Sequence, residues 1–113
     1  MPIEHDDIRT GPPQPVVWVT RIEGPPENVE RAAGLARGQL LAVYQGQPGW
    51  QGALGLLSFD RRRSLLLSFW ESEAALLEGG MADAGRLREG AAAAGVAITA
   101  SERFEILFDE RLE

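Results

Sequence analysis

The chain has 113 residues, of which 44% are hydrophobic and 25% are charged, and this fits a single globular domain. It contains no Cys, no Lys and a single His, which excludes disulfides, thiol nucleophiles, thiolate metal sites and Schiff-base chemistry. The formal net charge of −6 argues against a nucleic-acid partner, because such proteins usually present a basic face.

Residues 1–15 have no periodic apolar pattern and are predicted to form a flexible N-terminal arm, which leaves residues 16–113 as the single domain. The one weak metal candidate, His5 beside Asp6 and Asp7, lies in that arm, so we expect no metal site. No apolar run reaches the length of a membrane span, and the N-terminus lacks a signal-peptide core. We therefore expect a cytoplasmic protein without membrane contact.

The first half of the domain has the pattern of a strand, a helix and a second strand. Residues 16–22 are β-branched and aromatic, as is typical of a strand. From Glu27 to about Gln45, apolar residues recur every three or four positions, which predicts an amphipathic helix. The segment 46–49 is rich in Gly and Pro and ends that helix, and the second strand is predicted from Trp50 to Phe59.

The second half continues through a hairpin tip at residues 60–63, whose three arginines are expected in solvent, into a third strand over residues 64–70. Ser72 is expected to cap a helix that starts near Glu73. The glycines at positions 79 and 80 are expected to interrupt it, and it is predicted to resume from Met81 to Ala94.

Gly95 is expected to cap the end of that helix, and a long fourth strand over residues 96–108 closes the domain. The order β-α-β-β-α-β predicts an α+β, ferredoxin-like plait. This plait is a four-stranded antiparallel sheet with the first and third strands in its centre and two helices on one face.

Both faces of the central strands are apolar. In the third strand, Leu66 and Trp70 lie on one face, and Leu65, Leu67 and Phe69 lie on the other. Because two helices cover only one face, we predict a homodimer in which two sheets pack face to face as an α/β barrel.

Arg21 would face the interior of that barrel, where its charge requires a carboxylate partner or an anionic ligand. Glu105, on the neighbouring last strand, is the expected partner.

Three segments resemble the antibiotic biosynthesis monooxygenase family of the dimeric α/β-barrel superfamily. They are the sequence Tyr-Gln-Gly-Gln-Pro-Gly-Trp at 44–50, the hairpin through Asp60, and Ser-Phe-Trp-Glu-Ser-Glu-Ala-Ala-Leu at 68–76. The resemblance covers residues 16 to 108 and implies the same barrel-forming fold. The family includes cofactor-independent monooxygenases acting on aromatic polyketides or quinols, and haem-degrading enzymes.

The haem-degrading branch is poorly matched. Its members use an Asn on the first strand, a Trp at the end of the third strand and a His ligand on the following helix. Trp70 matches the Trp, but Thr20 stands at the Asn position, and the His position falls near Met81, with no His after His5. The resemblance therefore implies no haem degradation, and we expect no cofactor.

The candidate ligand-binding residues are aromatic or hydrogen-bonding side chains that the fold brings to the helix-covered face, together with a residue at the helix break: Trp18, Thr20, Tyr44, Ser68, Trp70 and Met81. Trp18 and Trp70 would form the aromatic walls of a pocket, unless they simply fill the core. No catalytic residue is identified.

Two functions remain open from the sequence. The first is a monooxygenase-like protein that binds a small aromatic or apolar ligand and oxygenates a quinol or polyketide without a cofactor. The second is a non-catalytic ligand-binding or interaction module of the same fold.

Overall fold

The computed structural model describes residues 14–80 and 84–110. The elements follow in the order β1 (Val16–Glu23), α1 (Pro26–Tyr44), β2 (Trp50–Leu57), β3 (Arg63–Trp70), α2 (Glu73–Ala75), α3 (Ala84–Ala93) and β4 (Ala97–Glu105), and α2 runs directly into a π-helical turn (Leu76–Gly80). The predicted α+β, ferredoxin-like order is therefore confirmed. The predicted arm lies outside the described residues, except for Gln14 and Pro15.

The sheet has the strand order β2-β3-β1-β4, so β1 and β3 are central, as predicted. All three pairings are antiparallel, with Val16 opposite Trp70 and Thr20 opposite Leu66. Because directly paired residues share a face, the even-numbered residues of β1 and β3 line one side of the sheet together. That side is the one covered by helices.

Two strands are shorter than the sequence predicted. β2 ends at Leu57 because Ser58 and Asp60 close the hairpin, where the Ser58 hydroxyl donates to Asp60 Oδ1 at 2.6 Å and the Arg62 N–H donates to the same oxygen at 3.0 Å. Side-chain bonds of this type compete with strand pairing. β4 ends at Glu105, and beyond it the Ile106 N–H donates to the Pro15 carbonyl at 2.9 Å.

The helical segment after β3 is less regular than predicted. Ser72 caps it as expected, since its hydroxyl accepts from the Ala75 N–H at 3.1 Å. Only three residues are α-helical before the chain widens into the π-helical turn, which ends at Gly80. Glycine fits at this turn because there is no room for a side chain. A Cβ on Gly80 would lie 2.7 Å from Leu76 Cδ1 and 3.0 Å from Trp70 Cζ2.

The end of α3 matches the prediction for Gly95. Its φ of +77° is the left-handed conformation that glycine adopts without a Cβ penalty. The Val96 N–H donates to the Ala91 carbonyl and the Gly95 N–H donates to the Ala92 carbonyl, which is the hydrogen-bond pattern of a Schellman motif. Asn28 Nδ2 donates to the Gly95 carbonyl at 3.2 Å and thereby ties the start of α1 to this turn.

The two faces of the sheet differ in burial. On the helix-covered face, Trp18, Thr20, Leu66 and Trp70 are all buried. On the opposite face, the central side chains Val19, Leu65, Leu67 and Phe69 are only partly buried, and Leu54, Leu56 and Phe104 on the edge strands are 44–47% exposed. A second apolar face is therefore open in the single chain.

The prediction that Arg21 pairs with Glu105 is wrong. Arg21 lies opposite Ala100, whereas Glu105 lies opposite Val16, about 16 Å further along β1. Arg21 instead pairs with Glu23 at 2.9 Å on an exposed part of its own strand.

No helix in the described parts of the chain is long and apolar enough to cross a membrane.

Candidate functional site

An aromatic cluster occupies one end of the helix-covered face. It is formed by Val16, Trp18, Tyr44, Trp70 and Leu76. The rings of Tyr44 and Trp70 meet edge to face with centroids 5.3 Å apart, and both residues are at most 1% exposed. These rings pack against one another, so the aromatic cluster is a solid part of the core and forms a wall beside any ligand space.

The polar atoms of this cluster are held by the protein. Trp70 Nε1 donates to the Ser68 hydroxyl at 3.0 Å, and Trp18 Nε1 donates to the Ser101 hydroxyl at 2.6 Å. The Tyr44 hydroxyl donates to the Gly80 carbonyl at 3.3 Å. These hydrogen bonds fix the orientation of the rings, and a substitution that removes one partner would lower the stability of the fold.

Trp50 stands at the border of the aromatic cluster, with its ring centroid 6.5 Å from that of Tyr44. Its Nε1 is the one buried side-chain polar atom without a hydrogen-bond partner in residues 14–80 and 84–110. An indole N–H is a donor only, so the Trp50 N–H could donate to a carbonyl, phenolate or water oxygen.

A cavity of about 40 Å³ lies beside the aromatic cluster, between the sheet and helices α1 and α3. Its walls are the aliphatic side chains of Ile22, Leu35, Leu66, Leu87 and Ile98, and the small residues of the two helices. Leu87 also packs against the aromatic cluster and so connects the two regions. The space suffices for two or three water molecules, since each needs about 10–15 Å³.

Two polar side chains also line this cavity, the hydroxyl of Thr20 and the amide of Gln39. Neither makes a hydrogen bond with another of the described residues. Thr20 as a whole residue is 6% exposed, although its hydroxyl is not fully enclosed as Trp50 Nε1 is, and Gln39 is an exposed residue at the rim of the cavity. An apolar space with a small number of free polar groups is the usual form of a small-molecule site.

The predicted site residues fall into three groups. Trp18, Tyr44, Ser68 and Trp70 come together in or directly beside the aromatic cluster, whereas Thr20 lines the cavity. Met81 lies outside the described residues.

Sequence reasoning missed Gln39 and Leu87. Gln39 is not one of the apolar residues that predicted α1, yet it reaches Gly90 on α3, where a Cβ would lie 3.5 Å from its Oε1. Because Gly90 has no side chain, the helices leave room for the amide. The sequence signal that could have identified this site is a polar residue on α1, Gln39, together with a glycine on the other helix, Gly90.

The cavity contains no ionisable side chain among its lining residues. Within the described residues, the one carboxyl with a clear pKa shift is that of Asp60, in the distant hairpin. The Ser58 hydroxyl and then the Arg62 N–H donate to this carboxylate and lower its pKa below the usual 3.8. The site therefore offers shape, apolar surface and hydrogen bonds, and its walls supply no general base.

The residues present do not fit a haem group. The sequence has no His beyond His5, so the described residues offer no imidazole to ligate the haem iron. No group of three or more His, Asp or Glu side chains in the described residues is arranged to hold a metal ion.

No protein-family model matches the chain, and no curated protein matches it in sequence. Solved structures match its fold. ActVA-Orf6, a monooxygenase of Streptomyces coelicolor solved in complex with nanaomycin D, superposes with a TM-score of 0.67 and 20% identity. The match covers 88% of this chain and 93% of that one.

Two further solved structures have the same fold. SnoaB, a cofactor-independent oxygenase of Streptomyces nogalater, superposes with a TM-score of 0.58 and 21% identity, covering 88% of this chain and 97% of that one. The haem-degrading protein Rv3592 of Mycobacterium tuberculosis superposes with a TM-score of 0.59 and 24% identity, covering 88% and 98%. The resemblance to monooxygenases inferred from the sequence is thus confirmed at the level of the fold.

Proposed function

We propose that this protein is monooxygenase-like and binds a small aromatic or apolar molecule between its sheet and its helices. The observation that carries the proposal is the cavity in which the Thr20 hydroxyl and the Gln39 amide are free, beside a wall of ordered aromatic rings. A ligand with a phenolic or carbonyl oxygen would satisfy both groups. The fold neighbours ActVA-Orf6 and SnoaB, a monooxygenase and an oxygenase, support this proposal.

Binding of an aromatic ring requires the cavity to expand, because small-molecule sites usually enclose about 300–1,000 Å³. The hydrogen bonds indicate where the helices separate. Arg31 Nη2 donates to the Ala94 carbonyl at 3.3 Å and, with Asn28, holds the end of α3 against the start of α1. Among the described residues, no hydrogen bond or ion pair ties the opposite end of α3, which carries Leu87, to α1, and we expect this end to move outward from that hinge.

The proposed reaction uses O₂ as oxidant and the substrate as the sole reductant. A phenol with a hydrogen at the para carbon gains one oxygen atom there and becomes a quinone. The second oxygen atom leaves as water together with the C–H and O–H hydrogens, so no cofactor is needed for electron balance. The protein would hold the ring in a dry space and donate hydrogen bonds to its oxygen.

A test of binding and turnover uses a panel of naphthols and anthrones, with calorimetry for binding and an oxygen electrode for turnover. Ala91 lines the cavity from α3, so Ala91→Leu should fill the space and abolish both signals. Ala92→Leu, at an exposed position on the same helix, should leave both unchanged. Equal signals from all three proteins would refute the cavity as the site.

The contribution of the Thr20 hydroxyl is tested by Thr20→Val, with Thr99→Val as the matched control on exposed β4. Losing one neutral hydrogen bond to a ligand should weaken affinity by about 2- to 13-fold, corresponding to 0.5–1.5 kcal/mol. Binding without oxygen uptake across the panel would favour the second function, a non-catalytic ligand-binding module.

We also propose that a second copy covers the open face of the sheet, giving a homodimer. The partly exposed Leu54, Leu56 and Phe104 border a face whose centre is apolar at Val19, Leu65, Leu67 and Phe69, with Arg21 at one end of it. Phe104→Glu should place a charge on that face and yield monomers, whereas Phe59→Glu, in the fully exposed hairpin, should not. Light scattering checks this, and a monomeric unaltered protein at high concentration would contradict it.

A further inference from the structure

A second and larger space lies on the other flank of α1, between that helix and the edge strand β2. This α1–β2 groove measures about 610 Å³, within the range of small-molecule sites. Its lining includes Ala33, Gly34 and Arg37 on the helix, Ala53 and Gly55 on the strand, and Leu66 beneath them. The remaining lining residues are larger or polar: Leu41, Leu54, Leu56, Leu57 and Ser64.

The glycines of the groove are not required by the backbone. Gly34 and Gly55 both have ordinary φ values, and a Cβ on Gly34 would meet no atom within 4 Å. A glycine inside a helix costs about 1 kcal/mol relative to alanine, and one inside a strand weakens it. Both positions therefore keep open a space that larger residues would occupy without strain.

Arg37, an exposed residue, is the one ionisable side chain that lines this groove, and the other polar side chain, Ser64, donates to the Leu56 carbonyl. Arg37 makes no ion pair or hydrogen bond with another of the described residues. The residues one helical turn away on either side are Ala33, Gly34, Leu40 and Leu41, none of which is acidic. The nearest acidic residue on α1, Glu30, already pairs with Arg61 of the hairpin at 3.4 Å.

We propose that the α1–β2 groove binds a small apolar molecule with a single anionic group, such as an aromatic carboxylate or sulfonate. The apolar body lies over Gly34 and Gly55, and the guanidinium of Arg37 pairs with the anion. This site is separate from the sheet–helix cavity of the proposed function, because Leu66 stands as a shared wall between the two spaces.

The test uses two fluorescent probes that differ only in the sulfonate group, 8-anilinonaphthalene-1-sulfonate and its neutral parent N-phenyl-1-naphthylamine. Gly34→Leu should fill the groove and weaken both probes more than 10-fold. Gly38→Leu is the matched control, since Gly38 lies on the same helix with no atom within 4 Å of its Cβ position and does not line the groove. Arg37→Gln should weaken the sulfonate about 3-fold and leave the neutral probe unchanged.

Gly55→Val fills the groove from the strand side and serves as a second variant if Gly34→Leu misfolds. Its Cβ would lie 3.9 Å from Leu66 Cδ2, an ordinary contact. Unchanged binding of both probes to the two filled variants would overturn the proposal. Equal effects of Arg37→Gln on both probes would overturn the pairing with an anion. Ala91→Leu closes only the other cavity, so either site can fail independently.

Discussion

The two ends of the helix-covered face are built from side chains of different size. At one end, Trp18, Tyr44 and Trp70 fill the space between sheet and helix completely. At the other end, the helices contribute mainly alanines to an aliphatic cluster around Ile22 and Leu66, and a cavity remains. The helix-covered face is thus tightly packed where its residues are large, and it contains a cavity where they are small. The candidate ligand space therefore lies in the alanine-rich half.

The largest expected difference between the two ends comes from truncating their central residues. Trp70→Ala should lower the free energy of unfolding by about 3–5 kcal/mol, because it empties a fully packed site and orphans the Ser68 hydroxyl. Leu66→Ala should cost about 2–3 kcal/mol, since part of its surroundings is already empty. Urea denaturation measures both, and a larger loss for Leu66→Ala would reverse the comparison.

A single methyl group should have opposite effects at a tight and at an open position. Gly80→Ala places a Cβ 2.7 Å from Leu76 Cδ1 and should cost about 1–3 kcal/mol of stability. Gly34→Ala meets no atom within 4 Å and should raise stability by about 1 kcal/mol through helix propensity. Thermal unfolding followed by circular dichroism compares them, and a stabilising Gly80→Ala would show that the aromatic end is loosely packed.

The sequence was sufficient for the order of strands and helices, because β1 and β3 are short apolar runs bounded by turn residues and α1 has an apolar stripe at helical spacing. It was also sufficient to bring Trp18 and Trp70 to one face. It was not sufficient for the pairing of Arg21, because the register of β4 depends on tertiary packing and includes an irregularity between Arg21 and Ile22. The cavity was equally hidden, since empty space follows from helix spacing and leaves no residue pattern of its own.

A smaller effect is expected from the hydroxyl that closes the aromatic end. Tyr44→Phe removes the donor to the Gly80 carbonyl and should cost about 1 kcal/mol, because the ring itself stays packed against Trp70. The measurement is chemical denaturation, combined with amide hydrogen exchange of residues in the π-helical turn. Protection in that turn as strong as in the unaltered protein would show that this hydrogen bond does not hold it.

The smallest effect is expected in the hairpin, far from both ends. Asp60 has a folded-state pKa below that of the unfolded chain, so its contribution to stability is present above pH 3.8 and is lost as the pH falls through the lower folded pKa. Asp60→Asn should therefore flatten the acid limb of the stability curve slightly, with Glu110→Gln, on the exposed segment after β4, as the control. A titration of the Asp60 carboxyl by NMR that gives an ordinary pKa would contradict this.

The backbone hydrogen bond from the Ile106 N–H to the Pro15 carbonyl holds two chain segments together at one end of the sheet, the segment that leads into β1 and the segment that follows β4. Gln14 reinforces this junction, since its Nε2 donates to the Ile106 carbonyl at 2.7 Å. Dyes attached at residues 14 and 107 would consequently transfer energy efficiently while the sheet is intact and lose that transfer when β4 detaches. The junction thus gives the domain a built-in place for a distance reporter that touches neither the sheet–helix cavity nor the groove beside α1.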